Sequence, residues 1–383
     1  MTSKQYKTTT IIPRYIDKNI TSKQKVLHIE ALISLLELWF KFRGQFNRNE
    51  RRKVDNIISK INDDLGGEYL VTSSVLSSIN HLMINIVIFK CLLKKVKPSV
   101  VFVVEFYSTQ GQAIAYACKS LGIKCVDLQH GTTYDTHPAY THWDNAPINS
   151  YNTLPDGFFV WSHTGKELIK KWFNGNVYWG TNIYLDQYIS EDLNQALNLK
   201  DKTDYDSEKY KELLARKCKK IIVTLQTGIF TVDQIYTFLR NNMWMQEYCW
   251  LVRLHPCMLD QIESAKAILS EFDNVELECA SKNILFDVLK VSDLHITHCS
   301  SATIEAASFS VPSIILDFSG VEICKEHVQN KYYEYVDGLH NLTNEVIKSM
   351  LDIEIKDKKN ESKKRLQRAY KAIDDIMNDC VTR

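Results

Sequence analysis

Residues 297–306 read Thr-His-Cys-Ser-Ser-Ala-Thr-Ile-Glu-Ala, and they lie where a buried strand is followed by a helix. The preceding residues 293–296 predict the strand, and residues 303–309 predict the helix. Residues 311–317 predict the next strand. A strand, a helix and a second strand in this order are typical of a parallel α/β domain.

The turn between this strand and this helix carries the hydroxyl groups of Ser300, Ser301 and Thr303. The first turn of a helix also offers unpaired backbone N–H groups and the positive end of the helix dipole. Together these features predict a phosphate site, with ordinary N-capping by the serine pair as the alternative. Glu305 lies in the same helical turn, where its carboxylate can accept hydrogen bonds from a ribose diol.

Strand and helix patterns alternate over two long stretches of the chain, residues 98–200 and residues 217–345. A polar, highly charged junction over residues 185–216 separates them. Helical patterns precede them over residues 1–97. A charged helical tail follows over residues 346–383, and we expect it to pack back on the first domain. The predicted fold class is α/β, with two Rossmann-like, doubly wound domains facing a cleft and an N-terminal helical extension.

The N-terminal extension predicts an irregular lead-in over residues 1–22 and then three helices. Apolar residues recur at helical spacing over residues 23–42, and further helices are predicted over residues 49–61 and 75–96. The third helix is mostly apolar, so we expect it to be largely buried. Its most apolar run, residues 81–93, is too short for a membrane span and contains a lysine, so no transmembrane helix is predicted.

The composition is typical of a soluble globular protein, with 383 residues of which 45% are hydrophobic and 24% are charged. A net charge of +1 argues against broad electrostatic binding to nucleic acid. Ten cysteines follow no C-x-x-C pattern, and several lie in apolar runs, which predicts reduced thiols. We therefore expect a cytoplasmic protein, with the inner face of the membrane as a further location.

The Arg-Leu-His-Pro turn at residues 253–256 follows another predicted strand. Pro256 ends the sheet and presets the next turn, which leaves His255 at the tip of the strand. His255 can donate to a phosphate or to a base carbonyl, or it can serve as a structural cap. Arg253 can reach the same anion or pair with a buried carboxylate.

Three turns, taken in order along the chain, resemble those of a known family. They are Gln129-His130-Gly131, the Arg-Leu-His-Pro turn and the Ser300-Ser301 turn. The set resembles the GT-B glycosyltransferases, especially bacterial capsule and cell-wall enzymes with cytidine-activated donors. These include sialyltransferases, Kdo transferases and teichoic-acid glycerophosphotransferases. The resemblance implies an acceptor domain over residues 98–200 and a nucleotide-donor domain over residues 217–345.

The resemblance implies that His255 contacts the nucleotide, that Ser300 and Ser301 contact the phosphate, and that Glu305 contacts the ribose. A further turn ends the first strand of the second domain, where backbone N–H groups can meet a phosphate. The predicted donor site therefore comprises Arg253, His255, Pro256, Ser300, Ser301, Thr303, Glu305, Thr227 and Gly228.

An inverting transfer needs a base that takes the proton of the acceptor hydroxyl. His130 is the first candidate because it follows a strand and precedes a glycine, and Glu105 and Asp135 are the next candidates. Alternatively, His130 is a positioning residue and an acid elsewhere is the base. The residues predicted to bind the acceptor are Gln129, Gly131, His137 and Tyr140.

The sequence thus predicts an inverting glycosyltransferase that moves a sialic acid-like or Kdo-like sugar from a CMP- or CDP-activated donor. The acceptor would be a surface glycan or a lipid-linked molecule, with a peripheral membrane contact and without nucleic acid. We expect no cofactor besides the nucleotide-sugar substrate, and no metal, because His295 and His298 on one strand point to opposite faces. The alternatives are a UDP-sugar-dependent GT-B transferase, a UDP-sugar 2-epimerase, and a non-catalytic capsule-assembly subunit.

Overall fold

The structure is a computed structural model that describes residues 9–12, 25–28, 46–141, 143, 151–190, 208–325, 328, 330–353 and 359–381. The elements in chain order are β1 (Thr9–Ile12), β2 (Lys25–His28), α1 (Arg48–Leu65), α2 (Thr72–Val96), β3 (Val100–Val103), α3 (Thr109–Leu121), β4 (Lys124–Leu128), β5 (Gly157–Val160), α4 (His163–Lys170), β6 (Asn176–Trp179), α5 (Ile183–Ser190), α6 (Glu208–Ala215), β7 (Lys220–Thr224), α7 (Val232–Asn241), β8 (Cys249–Arg253), α8 (Ile262–Leu269), β9 (Val275–Glu276), α9 (Glu278–Lys282), α10 (Leu285–Lys290), β10 (Leu294–Thr297), α11 (Ala302–Ser308), β11 (Ser313–Ile315), α12 (Phe318–Cys324), β12 (Tyr333–Tyr335), α13 (Asn344–Leu351) and α14 (Lys359–Val381). Short 3₁₀ helices cover Met243–Glu247, Pro256–Gln261, Asn330–Tyr332 and Leu339–Asn341.

Two sheets carry the α/β architecture. One has four strands in the order β3-β4-β5-β6, with β3 and β4 paired in parallel. The other has six parallel strands in the order β12-β11-β10-β7-β8-β9. The chain divides into two compact units, one of Met1–Leu128, Asn145–Phe158 and Met377–Arg383, the other of Gln129–Asp144 and Phe159–Ile376. The predicted fold class, α/β with two Rossmann-like domains, is confirmed.

Strand β7 lies inside the six-stranded sheet because its side chains are apolar on both faces. Ile221 and Val223 pack in one core with residues of α7 and α8. Ile222 packs in a second core with residues of α9, α10 and α11. All three side chains are fully buried. Such continuous apolar runs are typical of parallel strands with helices on both faces.

The first strands of the chain differ from the sequence-based expectation. Residues 9–12 and 25–28 form β1 and β2, which pair in parallel from Thr9 opposite Lys25 to Ile12 opposite His28. The predicted lead-in and the predicted helix over residues 23–42 are therefore wrong at these positions, and their other residues lie outside the described chain. The reason is local, because β-branched runs such as Thr9–Ile12 favour strands and short apolar windows do not distinguish strand from helix.

Helix α2 extends further than its most apolar run and is less buried than expected. Leu76, Ile84, Ile88 and Leu93 form a buried stripe, whereas other apolar side chains of the helix are exposed. In its most apolar window the mean hydropathy is 1.6 and 28% of the residues are buried. The expectation of a largely buried helix is wrong, because only one side of α2 is covered. Among the described residues, α2 is the one helix long and apolar enough to cross a membrane, by length and composition.

A disulfide joins Cys218 to Cys249, with their Cα atoms 6.2 Å apart and a sequence separation of 31. The prediction of reduced thiols is wrong for this pair, whereas the other cysteines with described side chains are free. The pair forms because β7 and β8 start side by side: the Cys249 N–H donates to the Lys219 carbonyl at 2.9 Å. Their separation along the chain hides this contact from sequence patterns.

Candidate functional site

A cavity of about 330 Å³ lies within the second unit. It brings together all three turns that the sequence analysis singled out: the one around His130, the one at His255 and the one at Ser300. The lining residues are His130, Gly131, Thr132, Tyr134, His137, Tyr140, Gln226, His255, Cys299, Ser300, Ser301 and Ile323.

The six-stranded sheet positions half of this lining. Gln226, His255 and Cys299 follow the carboxyl ends of β7, β8 and β10, which are neighbours in the sheet. Strand order also reverses here, since β8 and β9 extend from one side of β7 while β10, β11 and β12 extend from the other. In open α/β sheets, ligands bind at the carboxyl ends of strands beside such a reversal.

Gln226 joins the turns after β7 and β10. Its Oε1 accepts the Cys299 N–H at 2.8 Å, and its Nε2 donates to the Cys299 Sγ at 3.3 Å. The backbone of Gln226 also bonds twice to Phe230, which closes a tight turn with Gly228 at φ +70°. Thr227 and Gly228, both predicted for the donor site, lie at the exposed tip of this turn and do not line the cavity. The sequence-based site omitted Gln226, although its position directly after β7 is a usable signal.

The two serines after β10 have different surroundings. Ser300 Oγ accepts the Ala302 N–H at 3.2 Å, and the Ser300 carbonyl accepts the Thr303 hydroxyl at 3.1 Å. Ser300 thus performs the capping that the sequence analysis kept as an alternative. The Ser301 hydroxyl makes no hydrogen bond within the described chain, so it can donate to a ligand in the cavity. Thr303 is buried, and its hydroxyl is used in the cap.

Glu305 lies on α11 and is half-buried, its carboxylate oxygen Oε2 is buried, and it does not line the cavity. Its Oε2 has no hydrogen-bond partner among the described residues. Burial raises the pKa of this carboxyl to about 7, and its own backbone N–H offsets part of that effect. The contact with ribose stays a prediction.

Two of the three cavity histidines have one ring nitrogen bound to a backbone amide. His255 Nδ1 accepts the Cys257 N–H at 3.2 Å, and His137 Nδ1 accepts the Ala139 N–H at 3.2 Å. Burial is the main cause that lowers the pKa of His137, nearby His130 lowers it further, and the His137 carbonyl opposes both.

The loop that carries His137 is held by aromatic side chains. The His137 ring lies 5.4 Å from the Tyr134 ring and 4.8 Å from the Tyr140 ring. Trp172 Nε1 donates to the Tyr140 carbonyl at 2.8 Å, and the Trp172 ring stacks on Trp143 at 5.2 Å. The segment is therefore an ordered wall with aromatic faces, to which sugar rings can bind. Tyr134 is a lining residue that the sequence-based site omitted, although it lies in the same stretch.

Arg253 and Pro256 support the site from outside the cavity. Arg253 donates to the carbonyls of Ala280 and Asn283 at 2.5 and 2.7 Å, which joins β8 to the end of α9. Burial lowers the pKa of Arg253 to about 10. Pro256 begins the 3₁₀ helix that follows His255.

The remaining residues predicted for acceptor binding or as the base differ in whether they line the cavity. Gly131, His137 and Tyr140 line the cavity, whereas Glu105 and Asp135 do not. Gln129 is buried beneath the turn: its Nε2 donates to the Gly131 carbonyl at 2.6 Å, and its Oε1 accepts the Trp161 N–H at 2.7 Å.

The structure places His295, one of the two histidines considered as metal ligands, in the protein interior. His295 is fully buried between the Thr224 and Ser313 hydroxyls, each 2.9 Å from a ring nitrogen, and burial lowers its pKa to about 3. Within the described part of the chain, no three His, Cys, Asp or Glu side chains form a group that could hold a metal.

The cavity is polar without a permanent charge. Imidazole, phenol, hydroxyl and amide groups line it, and none of its described lining residues is Lys, Arg, Asp or Glu. Groups of this kind bind oxygen-rich ligands through directed hydrogen bonds. The environment suits a phosphate and a sugar ring.

Comparisons with known proteins are informative at the level of the fold. No protein-family model matches the chain. No curated protein matches it either. Solved structures do match the chain. A UDP-GlcNAc 2-epimerase from Neisseria meningitidis, bound to UDP-GlcNAc, has 16% identity and a TM-score of 0.52, over 77% of this chain and 82% of that one.

Two further epimerase structures are similar to the same extent. A UDP-N-acetylglucosamine 2-epimerase has 16% identity and a TM-score of 0.51, over 80% of this chain and 79% of that one. The UDP-GlcNAc 2-epimerase of Methanocaldococcus jannaschii has 17% identity and a TM-score of 0.50, over 75% of this chain and 80% of that one. These structures give no support to a cytidine-activated donor. The architecture of this chain is GT-B-like, with the fold that these epimerases have.

Proposed function

We propose that this protein is a GT-B-type enzyme that acts on a nucleotide-activated sugar, and that the nucleotide is UDP rather than CMP or CDP. The observation that carries the proposal is the cavity at the strand-order reversal, where His130, His255 and Ser301 meet. The UDP-GlcNAc-bound neighbour favours uridine over the cytidine that the three turns suggest.

Within this class we propose sugar transfer with inversion. His130 takes the proton of the acceptor hydroxyl, and the acceptor oxygen bonds to the anomeric carbon. The bond from that carbon to the phosphate oxygen breaks, and its electron pair leaves with the nucleotide. The Ser301 hydroxyl and the His255 N–H stabilise the leaving phosphate. The proposed acceptor, a glycan or a lipid-linked molecule, rests on the resemblance of the three turns. The proposed cytoplasmic location rests on the cysteine pattern of the sequence, and the proposed membrane contact rests on the N-terminal helices.

The second candidate is a UDP-sugar 2-epimerase, which the solved structures favour. Such an enzyme needs acids for proton transfer at the second carbon of the sugar, and the described lining contains no carboxylate. This difference ranks transfer ahead of epimerisation.

Thermal shift with UDP, CMP, CDP, GDP and ADP tests the nucleotide. A ligand that binds only the native protein raises the melting temperature by mass action. We expect selective stabilisation by UDP that is lost in His255→Ala and in Ser301→Ala. The matched control is His163→Ala, an exposed histidine on α4 outside the cavity. A response to CMP or CDP alone would restore the cytidine donor, and no response to any nucleotide would refute the proposed site.

Proton NMR of UDP-GlcNAc incubated with the protein separates the two reactions. Conversion to the 2-epimer without an added acceptor would establish the epimerase and contradict transfer. Release of UDP that depends on an added glycan acceptor supports transfer. Nucleotide binding without either reaction, over a panel of UDP-sugars and acceptors, would indicate a non-catalytic subunit.

A further inference from the structure

Helix α1 buries one line of side chains and exposes a second apolar line beside it. Ile58 is buried and α1 packs on α2, whereas Ile57 and Leu65 are each 58% exposed and Ile61 is 37% exposed. Positions 57, 61 and 65 recur every four residues, so these three side chains form one exposed stripe along the helix.

Helix α1 is well ordered, so the exposed stripe has a fixed shape. Asn47 and Glu50 form a capping box at its start, with hydrogen bonds of 2.8 and 3.0 Å. Gly66 ends the helix in the left-handed region at φ +70°. Asn62 fixes the following turn, because its side chain donates to the Leu70 carbonyl and accepts the Leu70 N–H, both at 2.9 Å. A surface that is ordered in advance loses little entropy on binding.

The charges of α1 are arranged against the dipole of the helix. Arg51, Arg52 and Lys53 are exposed near its start, whereas Asp63 and Asp64 are exposed at its end. Because the start of a helix favours anions and its end favours cations, this order is unfavourable in a helix by itself. It becomes favourable beside an antiparallel helix of the same sequence, since each basic start then meets an acidic end.

Two of the charged positions flank the exposed stripe directly. Lys60 and Asp64 share a helix face with Ile57, Ile61 and Leu65, because these five positions follow the spacing i, i+3, i+4, i+7 and i+8. The stripe therefore has a lysine beside its centre and an aspartate beside its end.

We propose that the exposed stripe of α1 binds the same stripe of a second copy of this chain, in an antiparallel pair around a two-fold axis. Such an interface is isologous, so the patch must be complementary to itself. With Ile61 at the axis, Ile57 of one copy lies opposite Leu65 of the other. In this register Lys60 of each copy is within reach of Asp64 of the other. A parallel pair would instead place the two acidic ends together.

A lipid surface fits the exposed stripe less well than a second copy does. Asp64 beside Leu65 would face the negative headgroups of an anionic membrane, which attract cations and repel carboxylates. The proposed membrane contact is therefore left to exposed apolar side chains of α2, such as Met83 and Val87. Binding of α1 to lipid is the competing outcome that the measurements distinguish.

One helix per copy makes a small interface, so we expect a weak and reversible dimer. Stable interfaces bury about 1,200–2,000 Å² in total, and smaller ones are typical of transient complexes. We expect a dissociation constant on the order of 10–100 µM. The residues of the stripe do not line the cavity, so self-association and nucleotide binding are separate measurements.

Sedimentation equilibrium of the full chain measures the association without any ligand. We expect the wild type to change from monomer to dimer between about 1 and 300 µM, and Ile61→Lys to stay monomeric because two cations meet at the axis. The matched control is Met243→Lys, which adds the same charge at an 86% exposed side chain away from α1. A wild type that is monomeric at every concentration, or a dimer that Ile61→Lys leaves unchanged, would overturn the inference.

Charge reversal in two separate chains tests the antiparallel register. Lys60→Glu leaves only acids at the two flanking positions, and Asp64→Lys leaves only cations, so each variant alone should associate about tenfold more weakly than the wild type. An equal mixture of the two variants brings the new glutamate of one chain beside the new lysine of the other. We expect the mixture to recover the wild-type affinity within about threefold.

Mixing corrects a lost charge complementarity but does not repair a misfolded chain. If the mixture associates no better than its components, the proposed antiparallel pairing is wrong.

Vesicle flotation with phosphatidylglycerol distinguishes a lipid surface from a second copy. We expect Ile61→Lys to bind these vesicles to the same extent as the wild type. Loss of vesicle binding in this variant, together with a monomeric wild type, would identify the stripe as a membrane contact and refute the pairing of two copies.

Discussion

Glu305 is a buried acid whose ionisation costs stability. Its pKa is about 7 in the folded protein, against an ordinary value of 4.5. Below pH 4.5 both states keep the proton, so there is no penalty. As the pH rises from 4.5 to 7, only the unfolded state ionises freely, and the folded state loses up to about 3 kcal/mol of stability.

Replacing Glu305 by Gln removes this penalty because the amide carries no charge at any pH. We expect Glu305→Gln to increase the free energy of unfolding at pH 8 by up to about 3 kcal/mol, and to change it little at pH 4. Urea denaturation at the two pH values measures the difference. An equal effect at both would show that packing, rather than ionisation, is responsible.

Sequence reasoning located the strand-end residues better than it judged the orientation of their side chains. His255, Ser301 and His130 line the cavity because the carboxyl ends of parallel strands lie at one edge of a sheet. Arg253 lies two residues before His255, but the carbonyls of Ala280 and Asn283 bind its guanidinium. Such contacts depend on residues about thirty positions away, so sequence spacing does not reveal them.

At the scale of elements, Gly111 lets the start of α3 approach the turn after β3. A Cβ at this position would lie 2.7 Å from the Phe106 Cα and even closer to the Glu105 carbonyl, both of them backbone. We expect Gly111→Ala to lower the free energy of unfolding by about 1–3 kcal/mol, as overpacking does. Chemical denaturation measures it.

The control for that substitution is Gly131→Ala, because a Cβ there meets nothing within 4 Å. Its stability should stay within about 0.5 kcal/mol of the wild type. If both substitutions cost the same, the close approach at Gly111 is not the cause.

Helix α14 is anchored to α5 by one ion pair. Arg365 Nε donates to both oxygens of Asp186 at 3.0 and 2.9 Å, and Asp186 is almost fully buried. Removing the guanidinium leaves a buried carboxylate without its cation, which costs about 3–5 kcal/mol. We expect that loss for Arg365→Met in urea denaturation.

Lys364→Met serves as the control. Lys364 is the exposed neighbour of Arg365 in sequence, so its replacement removes the same charge without leaving a buried partner unpaired. In addition, Arg365→Met combined with Asp186→Asn should recover part of the stability. If the double variant is no more stable than the single one, the ion pair does not explain the loss.

Long periodic elements were predictable from sequence and short ones were not. The helices predicted over residues 49–61 and 75–96 lie within α1 and α2. The predicted helical tail is two helices, α13 and α14, with residues 354–358 outside the described chain. The short β12 was not predicted, because three residues give too little periodicity to detect.

At the scale of the whole molecule, the Cys218–Cys249 disulfide determines how the protein should be handled. It closes a loop of 31 residues, for which chain entropy gives about 3–4 kcal/mol of stabilisation. We expect Cys218→Ser with Cys249→Ala to lower the free energy of unfolding by about this amount under non-reducing conditions.

Peptide mapping without reductant should recover the two cysteines as one linked pair. With reductant present, the wild type and the double variant should converge in stability. If both cysteines are free thiols in the non-reduced protein, the disulfide is refuted and the sequence-based prediction of reduced thiols holds for this pair as well.

Alternating strand and helix patterns were sufficient to predict the GT-B-like fold, but they did not determine the nucleotide. The turns at His255 and Ser300 lie at strand ends, where a phosphate of any activated sugar can bind. Discrimination between cytosine and uracil depends on contacts to the base, which these turns do not encode. The resemblance of the turns therefore implied cytidine without any base contact to support it, and the structural neighbours establish the fold alone.

The strand order of the six-stranded sheet also matters while the protein is being synthesised. Strand β7 pairs early with β8, but its other neighbour, β10, lies 73 residues further along, as Thr224 and Thr297 show. At ribosomal speeds this interval lasts about 4–15 s. Throughout it, one edge of a strand with three consecutive apolar residues is unpaired, and such edges recruit other chains. The nascent chain is thus most prone to aggregate after β8 has emerged and before β10 follows, which is when chaperones would benefit it most.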